Sequence, residues 1–272
     1  MPIKPPAENL ADQGGAPAKR RRWRLPAFAA FAALAGVVSL AALGVGAAVD
    51  ENALWKIVHG LCVVDEMHLH SPAPCVAVDL KSGEEDGSAV LKDLVGKTQF
   101  LLIPTRRLAG IEDPLIGTGA LPNYWRAAWA ARGLVSKNAQ KELPRDDIGM
   151  AINGAGARTQ DQLHIHVDCV RVDVRAALEA RAGEIGDKWA DFALLGHTYR
   201  ARRVSSEEPD PDPFRLLAED SRSSPLRDDS LAVIGARFAS GAPGFVLLAE
   251  KAPHGATHAE NLLDHSCAVA LQ

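Results

Sequence analysis

The chain has 272 residues, with 30 basic and 34 acidic side chains and a net charge near −4. That length can bury a sizeable core in one large domain or two small ones. Hydrophobic residues make up 47% and aromatics 5%, too apolar for a disordered chain; with no basic excess the composition also argues against nucleic acid as a partner.

The charges are unevenly laid out. Residues 1–24 hold six basic and two acidic groups, residues 25–49 hold none, and residues 50–272 hold 24 basic and 32 acidic groups. The first segment, rich in Pro, Gly and Ala, reads as a disordered basic head. The second, LPAFAAFAALAGVVSLAALGVGAAV, reads as one N-terminal transmembrane helix. Its 25 residues reach roughly 37 Å at about 1.5 Å each, enough to cross a hydrocarbon core of about 30 Å. Lys and Arg before the span keep the head cytoplasmic and export the body. The prediction is a single-pass protein of the bacterial inner membrane, with residues 50–272 as a periplasmic domain. A cleaved signal peptide is the rival reading, because Ala47 and Ala48 offer small residues at a cleavage position. An exported body suits disulfides, and Cys62, Cys75, Cys169 and Cys267 make an even set. Loop economy favours Cys62 with Cys75 and Cys169 with Cys267, the second pair stapling the C-terminal tail to a central strand. Four buried thiols are the alternative.

After the span, Asp50 caps a predicted helix in which Leu54, Ile57, Val58 and Leu61 recur at helical spacing. CVAVDL and AVLKDL read as strands joined by SGEEDGS, and TQFLLIPT as a third strand ended by Pro104. YWRAAWAARGLVSK is helical, with Trp125, Ala128 and Trp129 on one face as core. DIGMAIN is a strand, GAGART a glycine loop, QLHIHVDCV the clearest strand, and 171–185 a helix. HTYRARRV is a strand, SSEEPDPDP an acidic surface loop, and LAVIGARF with GFVLLAEK a closing hairpin. Strands in hairpins, interrupted by helices, predict an α+β body with a mainly antiparallel sheet and flanking helices.

The chemistry concentrates in QLHIHVDCV. Alternation puts Leu163, Ile165, Val167 and Cys169 on one face and Gln162, His164, His166 and Asp168 on a wet face, with neighbours roughly 7 Å apart. A neutral imidazole has a lone pair that can attack phosphorus, and a second can bind the phosphate or protonate a leaving oxygen. The upstream loop can turn the backbone N–H groups around Gly154 and Gly156, and the Thr159 hydroxyl, towards the same phosphate. A metal site built from His164, His166 and Asp168 is the competing chemistry. His68 and His70, and His254 and His258, read as incidental. Asp264, His265 and Ser266 read as a capped C-terminal turn, since adjacent residues cannot form a catalytic triad.

Asn153, GAGART and Gln162-Leu-His164-Ile-His166-Val resemble the histidine triad superfamily of nucleotide hydrolases and transferases. AVLKDLVGKTQFLLIPTRRLAGI resembles its nucleotide-pocket segment. LWKIVHGLC, SPAPC, LLIPTRRLAGIEDPLI, AINGAGARTQDQLHIHVDCVRVDVR, YRARRV and DHSCAV together resemble an exported branch, the CDP-diacylglycerol pyrophosphatases, over most of 52–269. The resemblance implies a histidine-triad-like fold and hydrolysis of CDP-diacylglycerol to phosphatidate and CMP, with no cofactor and no metal. It implies that His164 is the nucleophile, forming a covalent nucleotidyl intermediate, and that His166 contacts the phosphate. It implies substrate contacts from Thr159 to the phosphate, from Asn153 near the phosphate and ribose, from Asp93 to the ribose hydroxyls, and from Gln162. Gln162 stands where the superfamily has its first histidine; it can donate a hydrogen bond but not a proton. The superfamily often forms homodimers, and the residues of this chain leave that open.

The span gives the resemblance a physical motive, since a two-chain lipid stays in its bilayer and its hydrolase must work at that surface. Arg106, Arg107, Arg200, Arg202 and Arg203 are candidates to offset the acidic body near an anionic substrate. Two other readings are a pyrophosphatase or nucleotidyltransferase for soluble nucleotide diphosphates, and an anchored binding protein that no longer turns over.

Overall fold

In the computed structural model, which describes residues 50–220, 226–252 and 255–272, the described strands pair into one nine-stranded antiparallel sheet. The chain enters through α1 (Ala53–Ile57), a π turn (Val58–Cys62) and α2 (Val63–Leu69), then forms β1 (Ala77–Asp79), β2 (Ser88–Lys92) and β3 (Phe100–Pro104). Helices α3 (Tyr124–Ala130) and α4 (Arg132–Ala139) lead to β4 (Ile148–Ile152) and β5 (Ile165–Cys169). Then come α5 (Val172–Ala180), β6 (Ala190–Leu194), β7 (His197–Val204), α6 (Pro213–Ala218), β8 (Asp229–Arg237) and β9 (Pro243–Lys251). Short 3-10 turns at Ala259–Leu262 and Ala268–Leu271 end the chain. The spatial order is β1-β2-β3-β5-β4-β8-β9-β7-β6. The α+β class and the mainly antiparallel sheet are those expected.

Directly paired residues share a face, and the register divides the sheet cleanly. One face carries Val90, Leu102, Ile165, Val167, Met150, Val233 and Leu247, covered by Tyr124, Trp125 and Trp129 of α3 and Phe214 and Leu217 of α6. Trp125 is fully buried and meets Phe214 with ring centroids 5.0 Å apart, so the tryptophans are core. The other face has two separate covers. Leu54, Val58, Cys62 and Val63 pack on Ala89, Leu101 and Ile103, while Val174 and Leu178 of α5 and Ala259, Leu262 and Leu263 of the tail pack on Ala151, Ala232 and Ile234. His166 lies on this face between the two covers.

Two local departures have simple causes. The π turn holds an extra residue, which carries Leu61 out to solvent while Leu54, Val58 and Cys62 form the buried stripe. The acidic loop hides the start of α6, where Asp212 accepts from the Phe214 N–H at 2.9 Å and Pro213 opens the first turn. The structure pairs Cys62 with Cys75 and Cys169 with Cys267. Among the described residues no helix is long and apolar enough to cross a membrane. The expected head 1–24 and span 25–49, and His254, lie outside the described residues.

Candidate active site

Strand register assembles the site. His166 of β5 stands opposite Leu101 of β3 and Ala151 of β4. Two residues before Leu101, Gln99 falls on the same face, and just beyond β2 so does Asp93, whose N–H donates to the Gln99 carbonyl at 3.2 Å. The Gln99 amide links the row. Its Nε2 donates to Asp93 Oδ2 at 2.6 Å, lies 3.1 Å from Glu260 Oε1, and stands 3.0 Å from His166 Nδ1.

His164 sits just before the ladder begins. Its Nδ1 is 2.7 Å from the Gln162 carbonyl, which can only accept, so Nδ1 carries the hydrogen and Nε2 keeps its lone pair. Burial holds its pKa below the ordinary histidine value, and the nearby Arg158 guanidinium acts in the same direction; the Gln162 carbonyl, Glu260 and Asp93 oppose them. The ring is therefore neutral at neutral pH. The His164 and His166 rings lie edge to face with centroids 5.0 Å apart. His166 is buried, its pKa well below the usual range through desolvation and the imidazole next to it, and its Nε2 has no hydrogen-bond partner among the described residues.

The expected wet face is not wet. His166 and Asp168 are buried because the C-terminal tail lies over them. Asp168 accepts from Thr98 Oγ1 at 2.6 Å and the Cys169 N–H at 2.8 Å through one oxygen, and meets His265 Nδ1 at 3.0 Å with the other. The aspartate is thus engaged away from His164, and among the described residues no group of three or more His, Cys, Asp or Glu side chains is arranged to hold a metal ion.

Gln162 also departs from its expected role. Its Nε2 donates to the carbonyls of Pro104 at 3.1 Å and Arg106 at 2.9 Å, pinning the exit of β3. Only the buried Oε1 remains, without a partner among the described residues, and an acceptor does not bind phosphate. The glycine loop is engaged too. The Gly154 N–H donates to the Thr257 carbonyl at 3.0 Å and the Ala155 N–H to the Arg227 carbonyl at 3.1 Å, so neither N–H reaches towards a phosphate. A Cβ on Gly154 would strike the Thr257 hydroxyl, which is why glycine stands there. Thr159 is exposed on the loop. Asn153 is buried and faces the tail, giving Nδ2 to Glu260 Oε2 at 3.0 Å and taking the Glu260 N–H at 3.1 Å.

Four of the five arginines named for an anionic substrate are engaged by other groups. Arg200 is buried against Asp220 and Asp229. Arg106 meets Glu85 and Asp86, Arg107 lies on the Trp55 ring, and Arg203 on the Phe238 ring. The cation beside His164 is Arg158, held by Glu112 at 2.5 Å and Asp161 at 3.0 Å. A small cavity of about 10 Å³ is lined by Arg158, Asn153, Gln162, Gly110 and His164. Sequence reasoning also missed Gln99, Glu260 and His265. The signal for His265 was present, because a Cys169–Cys267 bridge brings residue 265 beside Asp168. Asp264 does cap the terminal turn, accepting from the Ser266 and Ala268 N–H groups.

With a lone-pair nitrogen, a second imidazole, a guanidinium and an amide-linked carboxylate near one another, the arrangement suits attack on a phosphate. Comparison with known proteins agrees in kind. The family model described as CDP-diacylglycerol pyrophosphatase matches residues 49–271. The chain is 37% identical over 226 residues to the CDP-diacylglycerol pyrophosphatase of Yersinia pestis, covering 81% of this chain and 85% of the relative. It is 39% identical over 226 residues to a protein of Mycobacterium leprae (strain TN) named a probable CDP-diacylglycerol pyrophosphatase, covering 82% of each. The chain belongs to the CDP-diacylglycerol pyrophosphatase family.

Proposed function

We propose, with membership of that family as the premise, that this protein hydrolyses the pyrophosphate bond of CDP-diacylglycerol to phosphatidate and CMP. The match over 49–271 carries the activity, and the Nδ1–H bond of His164 to the Gln162 carbonyl carries the mechanism. His164 Nε2 attacks the phosphorus that bears cytidine. A nitrogen–phosphorus bond forms, the bond from that phosphorus to the bridging oxygen breaks, and phosphatidate leaves with the electron pair. The ring is then a cationic cytidylyl-imidazole, its Nδ1–H still held by the carbonyl. Water attacks the same phosphorus, the nitrogen–phosphorus bond breaks with its pair returning to Nε2, and CMP leaves as the proton of water passes to solvent. His166 Nε2 and the Arg158 guanidinium stabilise the charge on the transferring phosphoryl group. Asp93, engaged by Gln99, takes the ribose hydroxyls. The roles given to His164, His166 and Asp93 are those that the resemblance to the histidine triad superfamily implies.

The uncharged segment 25–49 behind a basic head supports an anchored protein whose catalytic body faces the outer side of an inner membrane. An anchor keeps the cleft at the surface where the acyl chains of the substrate reside.

The test is CMP release from CDP-diacylglycerol in detergent micelles, with and without chelator, for wild type and His164→Ala. Chelator-resistant release that falls at least about a thousandfold in the variant is expected, together with an acid-labile radiolabelled cytidylyl adduct on wild type alone. Full activity in His164→Ala refutes the nucleophile, and loss of wild-type activity to chelator refutes the metal-free mechanism.

A further inference from the structure

We propose that Glu260 and His265 are positioning residues of this site, forming with Asp168 a carboxylate–imidazole–carboxylate array that orients His166 and balances its charge when phosphate binds. The proposal rests on the reading above, in which His166 meets the phosphate.

Both residues ride on the C-terminal tail, which is tied along β5. Cys267 is bonded to Cys169, Val170 bridges Leu263, and the Asp264 N–H donates to the Cys169 carbonyl at 2.8 Å. The loop after β2 closes over the same turn, with the Lys97 N–H donating to the His265 carbonyl at 3.1 Å. His265 Nδ1 lies 3.0 Å from Asp168 Oδ2 and its Nε2 3.4 Å from Glu260 Oε1. Carboxylates only accept, so both contacts are satisfied together when the ring is an imidazolium. The hydrogen bond to Asp168 accordingly raises the His265 pKa, against burial.

Glu260 passes the contact on. Its Oε1 is 3.2 Å from His166 Nδ1, and Asn153 brackets its other oxygen and its N–H. Burial disfavours its charge, yet attraction to His166 whenever that ring is protonated, together with the donors Asn153, Gln99 and His265, holds its carboxyl below the usual glutamate range. The charged and titratable groups around His265 are Asp168 from β5, Asp93 from the end of β2 and Glu260 from the tail. Arg171 and His258 line the cavity beside it. Those around His166 are His164, Glu260, Asp93 and His265.

Without ligand, burial keeps His166 neutral and the Gln99 amide can donate to its Nδ1. A phosphate at Nε2 adds negative charge, and the ring takes a proton from solvent. Nδ1–H then donates to Glu260 and Nε2–H to the phosphate. Glu260 is the counter-charge of that imidazolium, and the His265 imidazolium keeps Glu260 ionised and in place.

The test uses the full chain in micelles, labelled with 15N-histidine and titrated with inorganic phosphate and with CMP; His166 is assigned through His166→Gln. Wild-type His166 should change from a neutral to a cationic 15N signature, and in Glu260→Gln it should stay neutral. Glu260→Gln should lower kcat about 10- to 100-fold, change KM by less than about threefold, and move the alkaline limb of kcat to lower pH. His265→Gln should move that limb the same way by less. A wild-type His166 that stays neutral with phosphate bound overturns the proposal. So does a Glu260→Gln enzyme whose kcat falls with its pH limb unmoved. The phosphate titration needs no turnover: absent CMP release from wild type sinks the functional reading, whereas a cationic His166 indifferent to Glu260→Gln sinks this one. If Glu260→Gln does not fold, the wild-type titration and His265→Gln decide the matter.

Discussion

Replacing both cysteines of one bridge by alanine should cost different amounts at the two bridges. Cys169–Cys267 spans 98 residues and Cys62–Cys75 spans 13. A cross-link removes loop-closure entropy from the unfolded chain, more for a longer loop. On that account the long bridge contributes about 4.7 kcal/mol and the short one about 2.9 kcal/mol at 25 °C. A domain of this size loses about 2–4 °C of Tm per kcal/mol, so the long-bridge variant should melt roughly 9–19 °C lower and the short-bridge variant roughly 6–12 °C lower. Activity should separate them further. The long bridge holds the tail that carries Glu260 and His265, whereas the short one ties helix 53–69 to the approach of β1. Calorimetry gives the midpoints, and CMP release at a temperature where both variants are folded gives kcat. Equal Tm losses would refute the loop-entropy reasoning. A kcat loss confined to the short-bridge variant would refute the placement of the tail in the site.

Arg158→Ala should raise KM about tenfold, because it removes the cation beside His164, and should return the His164 pKa towards its ordinary value, since Arg158 holds it down. Steady-state kinetics across pH reads both effects, and an unchanged KM would remove Arg158 from the phosphate site. In wild type, burial disfavours the His164 imidazolium, so the acid limb of kcat/KM should lie below the ordinary histidine value of 6.5. Lowering the pH from 7 to 6 should then cost less than about threefold, and a limb at or above the ordinary value would contradict the buried, neutral nucleophile. Trp125→Ala should cost about 3–5 kcal/mol in urea denaturation, because the side chain is fully buried against α6.

The sequence made most strands and both histidines legible because alternation and helical spacing are local signals. It failed where a signal had to act at a distance or in an unusual form. β6 escaped notice because its hairpin turns on Leu195-Gly196, both at positive φ, where Asn-Gly or Asp-Gly would have marked the turn. α6 was hidden inside an acidic stretch, although Asp212 followed by Pro213 is a helix start. Period-2 reasoning placed His166 and Asp168 correctly on one face, but the tail that dries that face comes from about a hundred residues away. His265, judged against its neighbours Asp264 and Ser266, looked inert; its partners are Asp168 and Glu260. Arg200, in a basic strand, looked available to a ligand, and the fold engages it with Asp220 and the buried Asp229.

On the proposed mechanism, a glutamine at position 162 suits the leaving group. Phosphatidate is a phosphate monoester whose second ionisation lies near pH 6, so it departs as an anion and needs no proton. A residue there is released from acid catalysis and can serve the backbone instead, as Gln162 does by donating to Pro104 and Arg106 at the exit of β3. Gln162→Ala should therefore act on stability. It strands two carbonyls, at least one of them buried, at about 1–3 kcal/mol each, for a total of roughly 2–6 kcal/mol. Where the variant is fully folded, well below its unfolding midpoint, kcat should change by less than about threefold. Gln162→His should not raise kcat, because no step awaits the proton it would supply. Urea midpoints set beside kcat for the two variants decide the point. A hundredfold fall in kcat with stability intact would make Gln162 part of the chemistry and would require a leaving oxygen that has to be protonated.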